Sequence, residues 1–265
     1  MQTPHEIRIG CCGWSYDDWK GVLYPADARS GDYLGCYARD FDIVEVDSTF
    51  YRIPSKRTVL AWRDRTPETF RFALKLTQTI THEKMLRNCE AEVELFLAAA
   101  RLLGEKLHCV CLQFGYFNRE KFGGLRQFME TLDPFLTRWP PDIAKAVEIR
   151  NRNWLGREWA DFLRRHNAAM VLVEQNWMPS PLEIMEKIDA ATGPFGYVRL
   201  LGDRKAIEAI TTNWNKTVVD RTEEIRAAVE AIRRLARKVP VVVFANNHYA
   251  GYAPATVATI RQGLL

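Results

Sequence analysis

Several common signatures are missing from this sequence, and each absence removes a class of function. No CxxC pair occurs among the six cysteines, Cys11, Cys12, Cys36, Cys89, Cys109 and Cys111. That argues against a redox motif or a zinc knuckle and predicts reduced thiols. Cys109 and Cys111, two residues apart, read as small residues on one strand face. The first strand runs into Gly10-Cys11-Cys12-Gly13, which lacks the glycine spacing of a dinucleotide-binding turn. No apolar run is long enough to span a bilayer, and Met1–Gly10 carries no secretory signal pattern. A protein with no membrane role and a cytoplasmic address is therefore expected. No HxE or HxxxH spacing suggests a metal. Charge of one sign is also scarce: 37 basic against 33 acidic residues leave +4. The densest basic run, Arg233–Lys238, falls at the end of a predicted helix, where cations suit the helix dipole. It reads as a solvated face rather than a nucleic-acid patch.

What is present is a regular alternation. Strands are expected at Ile7–Cys12, Phe41–Asp47, Phe72–Leu76, His108–Phe114, Ala144–Ile149, Met170–Glu174, Phe195–Leu200 and Val241–Ala245. Helices are expected over Asp32–Asp40, Lys56–Asp64, Asn88–Leu103, Arg119–Arg138, Trp154–His166, Leu182–Asp189, Thr222–Lys238 and Ala255–Gln262. Asn88 is expected to cap its helix and Gly104 to end it. Thr79–His82 and Gly202–Thr217 read as irregular connections. Eight strand–helix units in this length predict a single α/β domain over 1–265, a closed (β/α)8 TIM-type barrel. A doubly wound open sheet is the alternative.

Strand parity then points to a site. Val44 and Val46 face the helices, which turns Glu45 and Asp47 inward. By the same rule Lys75, Gln113, Glu148, Arg150 and Arg199 face the interior near the C-terminal ends of their strands, where barrel active sites lie. On the eighth strand, parity leaves open whether Asn246 or Asn247 points in. His248 and His82 are each candidates for a base or for loop packing. The segment Gly13–Asp27, with Trp14, Tyr16, Trp19 and Tyr24, is either a lid over the barrel or a stacking wall for a ligand.

Glu45 and Glu148 form a candidate acid/base pair separated in pKa by cationic neighbours. Lys75 would form a Schiff base or bind an anion, and Arg150 and Arg199 suit a phosphate or carboxylate. Both glutamates with His248 offer a divalent-metal set, which three nearby cations oppose. No cofactor is otherwise specified, and the oligomeric state is not encoded in any motif.

The motifs resemble the YecE-like family, known by the label domain of unknown function 72. The matching pieces are Gly10–Tyr16 with Trp19 and Tyr24-Pro25, Glu45–Tyr51 with Pro54, Thr66-Pro67 with Phe72 and Lys75, and Thr81-His82. Leu112–Phe114, Val147–Arg150 with Trp154, Tyr197–Arg199 and Phe244–His248 continue the series. The resemblance implies a TIM-type barrel and, by analogy of fold, a relation to sugar isomerases. Members usually carry Asn at Asp47, Ser at Cys12, prolines at Gly115-Tyr116 and His-Gly at Leu201-Gly202, which suggests a divergent substrate.

The expected function is proton transfer (isomerisation, epimerisation or elimination) on a small polar anion such as a sugar or sugar phosphate. Glu148 or Glu45 would be the base, with Lys75 and Arg150 stabilising the developing anion. Arg199, Gln113, Asn246, Asn247, Asp47 and His82 would hold the substrate. Hydrolysis by the carboxylate pair is one alternative. Nucleic-acid binding, with Trp14, Tyr16, Trp19 and Tyr51 stacking bases, is another, less favoured one. A catalytically inert scaffold is the third.

Overall fold

A computed structural model describes residues 5–265; Met1–Pro4, part of the expected domain, lie outside the described residues. The strands are β1 (Ile7–Cys12), β2 (Ile43–Val46), β3 (Arg71–Lys75), β4 (Leu107–Gln113), β5 (Lys145–Glu148), β6 (Ala169–Glu174), β7 (Gly196–Leu200) and β8 (Val241–Ala245). Each pairs in parallel with the next, and β8 closes on β1 with Ile7 opposite Val241. The closure removes the open-sheet alternative. The helices expected between the strands are there, so the fold is a (β/α)8 barrel of TIM type.

The alternation of side chains builds two cores. Val44, Val46, Phe72, Leu74, Leu172 and Val243 pack outward against the helices. The inward set is a separate cluster, small on one side (Ala73, Cys109, Cys111, Ala146) and bulky on the other (Tyr197, Phe244). The large rings of β7 and β8 fill the space that alanine and cysteine leave across the barrel. Near the C-terminal ends the inward residues turn polar. Register sets Cys12 opposite Glu45, Gln113 opposite Glu148 and Val173 opposite Arg199.

Several local expectations give way to specific contacts. β2 ends at Val46 because Asp47 leads into a helical turn, Ser48–Tyr51. Asn88 does not cap: it has φ +48°, and its helix runs Glu90–Arg101; the helix ends before Leu102, and Gly104, at φ +59°, opens a short 3-10 turn, Gly104–Lys106. The helix expected from Arg119 begins at Leu125, after Gly123-Gly124. Thr79–Glu83 is a wide, π-type helical turn rather than a loop. The long connection after β7 holds a helix, Arg204–Ile210, whose first turn is capped by Asp203. All six cysteines are buried and free. Among the described residues no helix is long and apolar enough to cross a membrane.

The aromatic segment after β1 is a plug. Trp19 is fully buried, stacked on Tyr37 at 6.4 Å, and Tyr24 stacks on Tyr33 at 4.8 Å. The Tyr37 hydroxyl donates to Ile43 O and accepts from Cys11 N, filling a gap between β1 and β2. Gly10 is obligatory there, because a Cβ would lie 2.0 Å from the Ile43 carbonyl oxygen.

Candidate functional site

Polar residues of β2, β5 and β7 meet around Arg199. Its Nη2 reaches Glu45 Oε1 at 2.5 Å and its Nη1 reaches Glu148 Oε2 at 2.6 Å. The Tyr197 hydroxyl donates to Glu45 Oε2 at 2.5 Å, and Arg150 Nε to Glu148 Oε1 at 2.5 Å. Arg150 also donates from Nη1 to Gln175 Oε1. All four oxygens of the two glutamates thus accept a hydrogen bond. Both glutamates are 0% exposed and Arg199 is 2% exposed. Burial alone would push Glu148 up, but Arg150, Arg199 and Lys75 outweigh it and hold the carboxyl at about 2. Arg199 is held above its ordinary value by Glu148 and Glu45 despite its burial.

Above this layer lies a more open rim. Lys75 Nζ is 3.2 Å from Asp47 Oδ1 and 4.5 Å above the centre of the Phe50 ring. Arg199 Nη2 is 3.7 Å from the same Asp47 oxygen. Burial pulls the Lys75 pKa down, but Asp47, with Glu45 and Glu148, raises it overall. The amine is therefore held as a cation, which weighs against the Schiff-base role. The short turn after β2 holds it: the Thr49 hydroxyl accepts from Lys75 N at 2.9 Å. His82 meets the Phe50 ring edge-on at 5.2 Å, and its Nδ1 lies 2.8 Å from Thr81 Oγ1. Burial lowers its pKa, and so do Lys75, Lys121 and Arg150. Gln113 is half-buried at the end of β4, beside Glu148 in register.

The remaining candidates divide. Asn246 continues the inward face of Val242 and Phe244, and its Oδ1 accepts from His248 N at 2.9 Å and lies 2.7 Å from His248 Nδ1. Asn247 is buried, and its Oδ1 accepts from Ala253 N, so that side chain braces the turn instead of facing the mouth. His248 lies between two acceptors, with Nε2 3.2 Å from Glu208 Oε1. Acceptors on both nitrogens favour the imidazolium, whereas burial lowers the pKa. The Glu208 contact is long and exposed, and burial is the larger influence on the ring. Trp14 packs edge-on against Trp62 at 5.6 Å; Tyr16 lies on Trp19 at 4.7 Å and donates to Cys12 O. Tyr51 is 66% exposed.

Tyr197 and Gln175 were not among the sequence candidates. Tyr197 shares the parity of Arg199, which is a readable signal; Gln175 lies just beyond β6, where parity lapses. For a metal, Cys12, Glu45 and Asp47 place donor atoms within 4.8 Å of one another. The set is poorly suited. Glu45 already accepts from Arg199 and Tyr197, and burial, with Glu45 and Asp47, pushes the Cys12 thiol well up. A groove of about 850 Å³ lies away from these groups, along Ile7, Phe41 and Arg261.

Comparison with known proteins places these residues in context. The sequence profile of a family described as "Protein of unknown function DUF72" matches residues 8–265. A DUF72 family protein from Thermotoga maritima MSB8 superposes with a TM-score of 0.78 at 27% identity, over 98% of this chain and 99% of that one. The UPF0759 protein YecE of Escherichia coli (strain K12) is 31% identical over 152 residues, 57% of this chain and 51% of that protein. The match thus spans about half the length of that curated relative. A D-psicose 3-epimerase from Clostridium cellulolyticum H10 shares the fold, with a TM-score of 0.51 at 12% identity, over 95% of this chain and 89% of that one.

Proposed function

The chain belongs to the DUF72 family, and from that premise we propose that its barrel mouth is an active site moving a proton on a small, polar, anionic molecule such as a sugar phosphate. One observation carries this reading: the carboxylates Glu45 and Glu148 are sealed beneath, while Lys75 and Arg150 stand at the rim with side chains 9% and 14% exposed. Lys75, Lys121 and Arg150 all disfavour charge on the His82 ring, so a positive field covers that part of the mouth. Such a field favours an anion and stabilises negative charge that develops during proton abstraction.

The buried layer then takes a different role from the one the sequence suggests. A carboxyl held at about 2 is a weak base and a negligible acid at neutral pH. Glu45 and Glu148 serve as an electrostatic floor that fixes Arg199 and orients Arg150. The same occupancy weighs against hydrolysis by the carboxylate pair, which needs a free nucleophile or a protonated acid. The sugar part of the reading draws on the epimerase that shares the fold. Stacking of nucleic-acid bases finds less support, because Trp14 and Tyr16 are committed to Trp62 and Trp19.

The test is a thermal-shift titration with inorganic phosphate and a panel of sugar phosphates, repeated on Lys75→Met and Arg150→Met. The expected result is stabilisation of the wild type by at least one anion and its loss in both variants. Equal shifts in wild type and variants would place binding elsewhere.

A further inference from the structure

We infer that His82, through an unprotonated Nε2 fixed by Thr81 and left open by Gly115, is the group that accepts the proton from the substrate. This rests on the reading of the mouth as an acid/base site and names its base.

The tautomer follows from one hydroxyl. Thr81 Oγ1 lies 3.2 Å from Thr77 O and donates to it. A hydroxyl has a single proton, so toward His82 the same oxygen acts as acceptor. The 2.8 Å contact with Nδ1 is therefore Nδ1–H donating to Thr81 Oγ1. The neutral ring then carries its lone pair on Nε2; the hydrogen bond that the ring makes among the described residues is the one through Nδ1, and the residue is half-buried, so Nε2 is within reach of solvent and ligand. Thr81 is fully buried, so water does not compete for the bond.

Position supports the same role. A Cβ at residue 115 would come within 3.3 Å of Nε2, so the glycine there keeps the approach to that nitrogen clear. Phe50 holds the ring edge-on and carries the Lys75 ammonium at 4.5 Å from its centroid, which places base and cation on one aromatic support. The charged groups acting on the ring are Lys75, Lys121 and Arg150, opposed by Glu148. They keep it neutral, and hence able to accept a proton, at physiological pH.

The step balances simply. A substrate C–H or O–H gives its proton to Nε2, forming the imidazolium. The bonding electron pair stays on the substrate as an enolate or alkoxide, facing Lys75 and Arg150. The proton returns from Nε2 to the same or the neighbouring atom. The substrate class is a hydroxylated anion with an acidic proton.

The experiment is nitrogen-15 spectroscopy of the histidine rings in the full chain, with His82 assigned from the signal lost in His82→Asn. The expected result is the Nδ1–H tautomer at neutral pH, half-protonation below the ordinary value of about 6.5, and an upward shift of that midpoint in Lys75→Met. Thr81→Val should release the lock and bring up the Nε2–H tautomer. An Nε2–H ring in the wild type, or a midpoint that ignores Lys75→Met, overturns the assignment. The readout needs no ligand, so it stands or falls apart from phosphate binding, whose absence counts against the anion reading instead.

Discussion

Arg199 bridges Glu45 and Glu148 with its two terminal nitrogens, at 2.5 and 2.6 Å, in a layer closed to solvent. One cation thus pairs with two carboxylates that β2 and β5 bring in from separate parts of the chain, and Arg150 on Glu148 supplies the second positive charge. Removing one member leaves its partners charged and buried. Glu148→Gln and Arg199→Met should each cost about 3–5 kcal/mol, read as a lowered denaturation midpoint at unchanged slope. Replacing Glu45, Glu148 and Arg199 together by Leu or Met should recover much of that loss. A triple variant as unstable as the singles would mean that the layer is needed for folding itself.

The buried layer was legible because side-chain parity has period two along a strand. Val44 and Val46 identify the outer face of β2, so Glu45 must be inside; the same logic places Lys75, Glu148 and Arg199. Parity says which face a group occupies and nothing about its partners, so it does not show that all four oxygens of the two glutamates accept hydrogen bonds. Beyond the strands the signal fades. His82 lies in a π-type turn that no propensity marks, and Asn247 is turned away by a backbone bond to Ala253. The resemblance to the family marked Thr81-His82 as a motif, but the hydroxyl that sets the ring tautomer needs coordinates.

At the other end of the barrel, His108 is pushed down to about 4, by burial and then by Arg8 and Arg71, and its Nε2 has no partner among the described residues. A histidine depressed in the fold resists a proton that the unfolded chain takes up. Its contribution is present above the ordinary 6.5 and is lost as pH falls toward 4. The shift corresponds to about 3 kcal/mol. His108→Leu should flatten the stability profile between pH 7 and 4, measured by urea unfolding at a series of pH values. A profile as steep as that of the wild type would assign the acid sensitivity elsewhere.

Glu174, at the end of β6, behaves in the opposite sense. Burial, then Glu224, and more weakly Glu183, raise it to about 7 against the pull of Arg221. The raised value means that the fold prefers the neutral carboxyl. The stability this gives is complete below the ordinary 4.5 and lost as pH rises through 7. The group is partly solvated, so the discounted effect is about 1–2 kcal/mol. Glu174→Gln should be more stable than the wild type at pH 8 and nearly equal to it at pH 4.5. Thermal unfolding at the two pH values gives the comparison.

Thr49 ties the rim to the barrel through one oxygen. It lies 2.8 Å from both Val46 O and Lys75 O, and it accepts from Lys75 N at 2.9 Å. Valine has the same shape but no hydroxyl, so Thr49→Val strands a buried N–H and weakens the hold on the residue that carries the rim cation. The cost should be about 1–3 kcal/mol. Displacement of Lys75 should also relax its effect on His82, raising the ring's titration midpoint in the direction expected for Lys75→Met. Thr49→Ser keeps the hydroxyl and should keep the midpoint. If Thr49→Val loses stability while the His82 midpoint stays in place, the hydroxyl supports the strand end alone and does not position the lysine.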